Sequence, residues 1–350
     1  MQKIIFLTII LFSFMSLNAQ KILLEKFPEL PDELGFAGMF AGVSNGNIFC
    51  MGGANFPDKK PWEGGQKIWH KSIYMFEKGK WKELKEKLPE ESAYGVSGTY
   101  NEKIIIAGGN NQAGFSNKVF SFSWENGVLQ MEQLADLPYT LANMCGTIVG
   151  DLMIITGGQT SASSPAINDC IALELKVANG VWFKLSSIPG PSRLLPVCAT
   201  YNNSYYVFSG ETTSQNVIGQ NYRDILLDAY SFTPVMSSNS WSGVWKKLTD
   251  MPKGVSAGGS PLPVLPGKGM IFWGGVDAVT ALWKDPGTHE GISKKVIAYH
   301  PENDSWTLQM SDPEIDARVT LPVVKWNNRW LYISGEIKPG VRTNTNYTVH

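Results

Sequence analysis

The sequence predicts an all-β fold, a propeller of six blades closed by its two chain ends. Three observations predict it. A short apolar run ending in a small residue and Gly recurs six times along the 350 residues. Charged residues are only 17%, against 35 Gly and 12 Trp, which suits tight turns and packed rings better than helices. The chain is also long for a single ordinary core, and radial repetition solves that by giving each unit its own core with its neighbours.

The runs are 48–53 (IFCMGG), 104–109 (IIIAGG), 153–158 (MIITGG), 206–210 (YVFSG), 270–275 (MIFWGG) and 331–335 (LYISG). Their spacing of roughly 50–65 residues is close to that of Kelch repeats, about 50. A further strand follows most runs, at 72–76, 119–122, 170–173, 228–230 and 296–299. A Trp then opens the outermost strand at Trp81, Trp182, Trp245 and Trp306, and blades end on Leu88-Pro89, Leu137-Pro138, Ile188-Pro189 and Met251-Pro252. The glycines let a strand end where a Cβ would clash, and the Trp is expected to pack between blades. Residues 26–31 look like an outer strand with no blade before it, and the last repeat stops after a third strand near 343–347. The N-terminal strand is therefore expected to complete the last blade, a Kelch-type ring over residues 20–350.

Residues 4–17 are almost wholly apolar behind Lys3 and end at Leu17-Asn18-Ala19. They read as a signal peptide over residues 1–19, with an uncleaved anchor as the alternative. No Cys follows the run to carry a lipid, and no second long apolar stretch follows, so no membrane anchor is expected after cleavage. The predicted location is the periplasm. Lys+Arg 30 against Asp+Glu 31 leaves a net charge of -1 with no basic block, which disfavours nucleic acid as a partner. Cys50, Cys145, Cys170 and Cys198 lack the close spacing of a metal or redox site. Four His without clustering argue against a copper site, and no nucleophile elbow, zincin helix or P-loop occurs. No metal or other cofactor is expected.

Short turns such as Asn45-Gly46 and Lys78-Gly79 alternate with long connections after the glycine runs, 54–71, 159–169, 211–227 and 276–294. Connections of one parity leave one end of a propeller, so the long loops share a face, the usual place for function on a rigid scaffold. The first long loop mixes rings, Gly and polar groups as a sugar site would, with Asn55 and His70 as polar candidates. The last, 334–343, sets Glu336 beside the Gly turn with Lys338 and Arg342 close by. Glu211 occupies the same slot in the fourth repeat. Arg193 and Arg318 each sit just before a blade's first strand, and are expected either to face the ligand from the channel mouth or to pair with a local carboxylate.

Residues 335–343 (GEIKPGVRT) match the Gly-Glu-x-Lys-Pro-Gly-Leu-Arg-Thr segment of the bacterial N-acetylneuraminate epimerases, or sialic acid mutarotases, with Val341 for Leu. Phe36-Ala37-Gly38, Gly52-Gly53, the Gly-rich loop before Ile73 and residues 93–97 (AYGVS) match as well. The sequence resembles that family, with one departure. Here the Glu segment comes last, whereas in the family it precedes the other two, which implies a circular permutation. The resemblance implies a secreted isomerase that equilibrates the anomers of free sialic acid without a cofactor. It carries the family's proton-accepting Glu onto Glu336 and its motif Arg onto Arg342, the candidate grip for the substrate carboxylate. A non-catalytic Kelch module binding glycan or protein is the alternative. A sialidase would want Asp-box repeats, and none occurs.

Overall fold

The computed structural model describes residues 22–215, 219, 221–283, 285–309 and 311–350. The expected signal segment, residues 1–19, lies outside them. The repeats form six four-stranded antiparallel sheets. Each glycine-terminated run is the second strand of its blade, from Asn47–Met51 in blade one to Arg329–Ile333 in blade six. Asn45 and Gly46, at φ 46° and 74°, make the tight turn into the first of them.

Blade six is assembled from both chain ends. Its third strand, Asn346–Val349, pairs with Leu24–Phe27 as the outermost strand, in register from Leu24 opposite Val349 to Phe27 opposite Asn346. The ring thus closes through hydrogen bonds between the first and last strands of the chain.

Apolar side chains collect between blades rather than within one central core. Phe40, Phe49 and Met75 of blade one pack on Ile104, Ile106 and Phe122 of blade two, and similar clusters occupy the other junctions. The repeated Trp marks these junctions. Its indole N–H donates to a carbonyl just before the end of the preceding blade: Trp81 to Pro28 (2.9 Å), Trp182 to Ala135 (2.9 Å), Trp245 to Ser186 (2.6 Å) and Trp306 to Thr249 (3.0 Å). Each such bond contributes about 0.5–1.5 kcal/mol beyond the ring's burial.

The small residue of each run is held at positive φ. A Cβ on Gly52 (φ 62°) would stand 2.3 Å from the carbonyl oxygen of Ser92 in the next blade. In blades four and six Ser209 and Ser334 take this slot at φ 52° and 56°. The Ser209 hydroxyl donates to Leu226 O, and the single proton of the Ser334 hydroxyl lies between two carbonyl acceptors, Thr343 O at 2.7 Å and Phe36 O at 2.9 Å.

Six residues, one from the entry to each blade, encircle the axis. Gly38, Tyr94, Asn143, Leu195, Ala257 and Thr320 all have φ between 50° and 68°. The amide of each donates to the carbonyl of its counterpart in the preceding blade at 2.7–3.0 Å, and Gly38 closes the cycle on Thr320. Left-handed backbone at five non-Gly residues costs about 1–3 kcal/mol apiece, and it persists where surrounding bonds over-determine it, as this closed cycle does. Below it, Ser97, Cys145, Gly146, Ser260 and Pro322 line an axial cavity of about 80 Å³. That is far below the roughly 300 Å³ at which ligand pockets begin. The axial channel is therefore too small to enclose a ligand of sugar size.

Candidate functional site on the loop face

The residue before each ring member pairs with the residue after the glycine run of the same blade: Ala37 with Ala54, Ala93 with Asn110, Ala142 with Gln159, Leu194 with Glu211, Ser256 with Val276 and Val319 with Glu336. These bridges set six equivalent positions around the mouth. Acidic side chains occupy two of them, Glu211 and Glu336, so the shared slot read from the sequence is a shared place in three dimensions.

Glu336 begins the hairpin of Glu336–Lys338 with Val341–Arg342, whose register places Glu336 opposite Arg342. Arg342 Nη1 lies 2.9 Å from Glu336 Oε2, with side chains 4% and 18% exposed. Its N–H bonds are angled away from that oxygen, so this buried nitrogen has no hydrogen-bond acceptor. Arg342 Nε donates to Ala54 O at 3.3 Å, and the guanidinium lies over the Phe56 ring at 4.6 Å. The loop of blade one covers the hairpin: a Cβ on Gly340 would meet Pro61 at 2.5 Å and Trp62 at 3.3 Å. Loss of water raises the pKa of Glu336 above its ordinary 4.5, while Arg342, the Gly340 amide and Lys67 pull it back. The carboxyl is thus a stronger proton acceptor than one in water.

The same sector holds groups that sequence reasoning did not single out. Lys67 places its ammonium 5.0 Å from the Tyr94 ring centre and 5.6 Å from that of Trp69. Trp69 donates its indole N–H to Asn110 Oδ1 at 2.9 Å. Blades six, one and two therefore supply one continuous wall. Its sequence signal was faint: Tyr94 shows as one residue of the matching 93–97 segment, two before a first strand, and Lys67 as one of several loop lysines.

The five other candidates turn to their own neighbours instead of to a ligand, Arg193 through the carboxylate pairing that was its expected alternative. Arg193 is fully enclosed. It forms two bonds to Asp228 (2.8 and 2.7 Å), with others to Ser209 O and Pro191 O, so no donor faces the mouth. Arg318 is equally enclosed, bonded to Ser334 O and to Thr345 O and Oγ1, with Trp273 and Tyr347 against its guanidinium. Both arise at the blade junction, not the channel mouth, which explains the difference. Glu211 is taken up by Arg223 and by the Ser256 hydroxyl at 2.6 Å. Asn55 is 2% exposed, bonded to Gly35 O and to His70 Nε2 at 2.8 Å. His70 sets its ring edge on Phe36, and burial lowers its pKa. Asn55 and His70 support the first hairpin from below instead of facing a ligand. For Arg342, the enclosed guanidinium turns to Glu336 and not to the open mouth.

Among the described residues no three His, Cys, Asp or Glu side chains cluster as a metal site would, and no helix is long and apolar enough to cross a membrane. All four cysteines are buried free thiols.

Fold and site together define a six-bladed propeller with one desolvated Glu–Arg pair at its mouth. A family model described as N-acetylneuraminate epimerase matches residues 15–131. The N-acetylneuraminate epimerase of Haemophilus influenzae strain PittEE is 34% identical over 111 residues, covering 28% of this chain and 29% of that protein. That of Yersinia enterocolitica is 37% identical over 108 residues, covering 28% and 27%. These matches span less than a third of either relative. The solved structure of YjhT superposes with a TM-score of 0.64 over 93% of this chain and 99% of its own, at 15% identity, which shows a shared fold. The chain resembles the N-acetylneuraminate epimerases through residues that form its first two blades, and Glu336 and Arg342 lie outside the matched segment.

Proposed function

We propose that the protein is an isomerase that interconverts the α- and β-anomers of N-acetylneuraminate, with Glu336 as its acid–base group. The observation that carries this reading is a carboxyl at the propeller mouth, desolvated beside Arg342 and raised in pKa, within a segment that matches the family's. The substrate is a 2-keto sugar acid closed as a hemiketal. Glu336 takes the proton of the anomeric hydroxyl, the bond from C2 to the ring oxygen breaks, and the ring oxygen receives a proton. The open-chain ketone turns its face, and the same steps in reverse close the other anomer. Nothing is oxidised or reduced, so no cofactor is required. A positioned carboxylate of this kind contributes typically 10²–10⁴-fold.

The reading includes the permuted order of the Glu segment. It is supported by neighbouring chain ends in blade six, because a ring whose termini meet tolerates a moved break. It also includes export to the periplasm, from the apolar N-terminal run. The test is proton NMR of freshly released α-N-acetylneuraminate with the wild-type protein and with Glu336→Ala. Acceleration by the first and not the second is expected. If wild type leaves the spontaneous rate unchanged, a non-catalytic glycan-binding module becomes the better account.

A further inference from the structure

An anomer-exchanging site for a keto sugar acid needs a receptor for the carboxylate, which sits on the anomeric carbon itself. The two cations whose charge acts on Glu336 are Arg342 and Lys67, and other cations of this face lie farther from it. Arg342 is 4% exposed, with Nη1 buried beside Glu336 and Nε bonded to backbone. Arg223 is held by Glu211 through two nitrogens. Lys338 runs towards blade five, its Cε 4.0 Å from where a Cβ on Gly291 would stand, and its charge acts on His289. Lys67 remains. It has no carboxylate within ion-pair distance and no hydrogen-bond acceptor among the described residues, and only the faces of Tyr94 and Trp69 hold it. Aromatic faces stabilise an ammonium without occupying its N–H donors, which leaves all three donors for an anion. The charge of Lys67 also reaches Glu336, and the substrate's carboxylate must lie close to the hydroxyl that Glu336 deprotonates.

We infer that Lys67, and not Arg342, receives the substrate carboxylate, and that the site selects sugars with a carboxylate on the anomeric carbon over neutral ones. The inference rests on the isomerase reading for its substrate class. Arg342 then acts through Glu336, as a positioning residue.

The test is calorimetric binding of N-acetylneuraminate and of its methyl ester to wild type, Lys67→Met, Lys67→Arg and Arg342→Lys. Met retains an apolar stem against the two rings, and thermal melts confirm that each variant is folded. Wild type should prefer the free acid by roughly ten- to hundredfold, the worth of a hydrogen bond to a charged group. Lys67→Met should lose that preference by weakening for the acid alone, and Lys67→Arg should restore part of it. Arg342→Lys should keep the preference while slowing anomer exchange. A wild type that binds acid and ester alike, or binds neither, overturns the inference, as does a Lys67→Met that still prefers the acid. Anomer exchange measured on the same samples separates the two ideas. Selective binding without exchange removes the isomerase and leaves the receptor, and exchange with unaltered selectivity in Lys67→Met does the reverse.

Discussion

Blades four and six repeat one arrangement and use it differently. Arg193 and Ser209-Gly210-Glu211 correspond to Arg318 and Ser334-Gly335-Glu336, and in both an Arg donates to the carbonyl of the Ser 16 residues later. In both, the Glu starts a hairpin that carries an Arg on its return strand. In blade four that Arg is 44% exposed and lies alongside the carboxylate with two N–H bonds, while Ser256 supplies a third. Glu211 is a satisfied anion. In blade six the corresponding Arg is 4% exposed and contacts Glu336 without an aligned hydrogen bond. Phe56, Pro61 and Trp62 of blade one lie over it. Both carboxylates are shielded from water, at 10% exposure for Glu211 and 18% for Glu336, and Glu336 gains fewer bonds in return. The difference teaches that the environment of the carboxylate at this slot is set by its return-strand Arg and by the neighbouring blade's loop, since the slot itself is common to both.

The sharpest way to break this comparison is to remove each carboxylate in turn. Glu336→Gln should lower the accelerated part of anomer exchange by about 10²–10⁴-fold, whereas Glu211→Gln should leave it near wild type. Loss of the charge that accepts from Arg223 and Ser256 in Glu211→Gln should instead cost about 1.5–3 kcal/mol, read as a lower urea midpoint. Equal losses of activity in the two variants would show that the slot, and not its covering, makes the chemistry.

The two enclosed arginines sharpen the contrast at the level of stability. Arg193→Met strands Asp228, which is 14% exposed, and should destabilise by about 3–5 kcal/mol. Arg318 has no carboxylate partner and is desolvated enough for its pKa to fall to about 10. Arg318→Met strands no charge, so its unfolding free energy in urea should fall by clearly less than that of Arg193→Met.

The smallest expected effect is in pH dependence. Arg342 lowers the pKa that burial raises at Glu336, so Arg342→Met should move the acidic limb of the rate profile to higher pH. The stability sign follows from the same shift. A carboxyl whose folded pKa is raised contributes stability below its ordinary 4.5 and loses it as pH rises through the folded value. Urea melts of wild type and Glu336→Gln should therefore show the relative stability of wild type falling between pH 4 and neutrality, and a flat difference would mean that Glu336 is not desolvated.

The repeat was legible because its causes are local. Six glycine-terminated runs specify where second strands end, and the Trp at the start of the outer strand marks each junction, as Trp81, Trp182, Trp245 and Trp306 do. The two-ended closure of blade six followed from an orphan outer strand at one end and a missing one at the other. Glu336 and the likeness of its slot to that of Glu211 were legible too, because the slot sits at a fixed offset from a glycine.

Orientation was not legible. Arg193 and Arg318 precede first strands as a mouth residue would, yet a difference of two positions from the ring member sends their side chains into the blade junction. Asn55 and His70 satisfy each other, which no spacing announces. Lys67 acquires its place only when the blade-one loop folds back towards Tyr94, which lies in another blade. The sequence by itself determined the number of blades, their strand order, the face that carries the long loops and the slot of the key carboxyl, since turn chemistry and strand periodicity act over a few residues. Only the tertiary structure decided which of two equivalent buried glutamates is fully bonded and which cations are spent on their own neighbours, because hydrogen bonding and charge pairing depend on groups that the closed ring brings together from different blades.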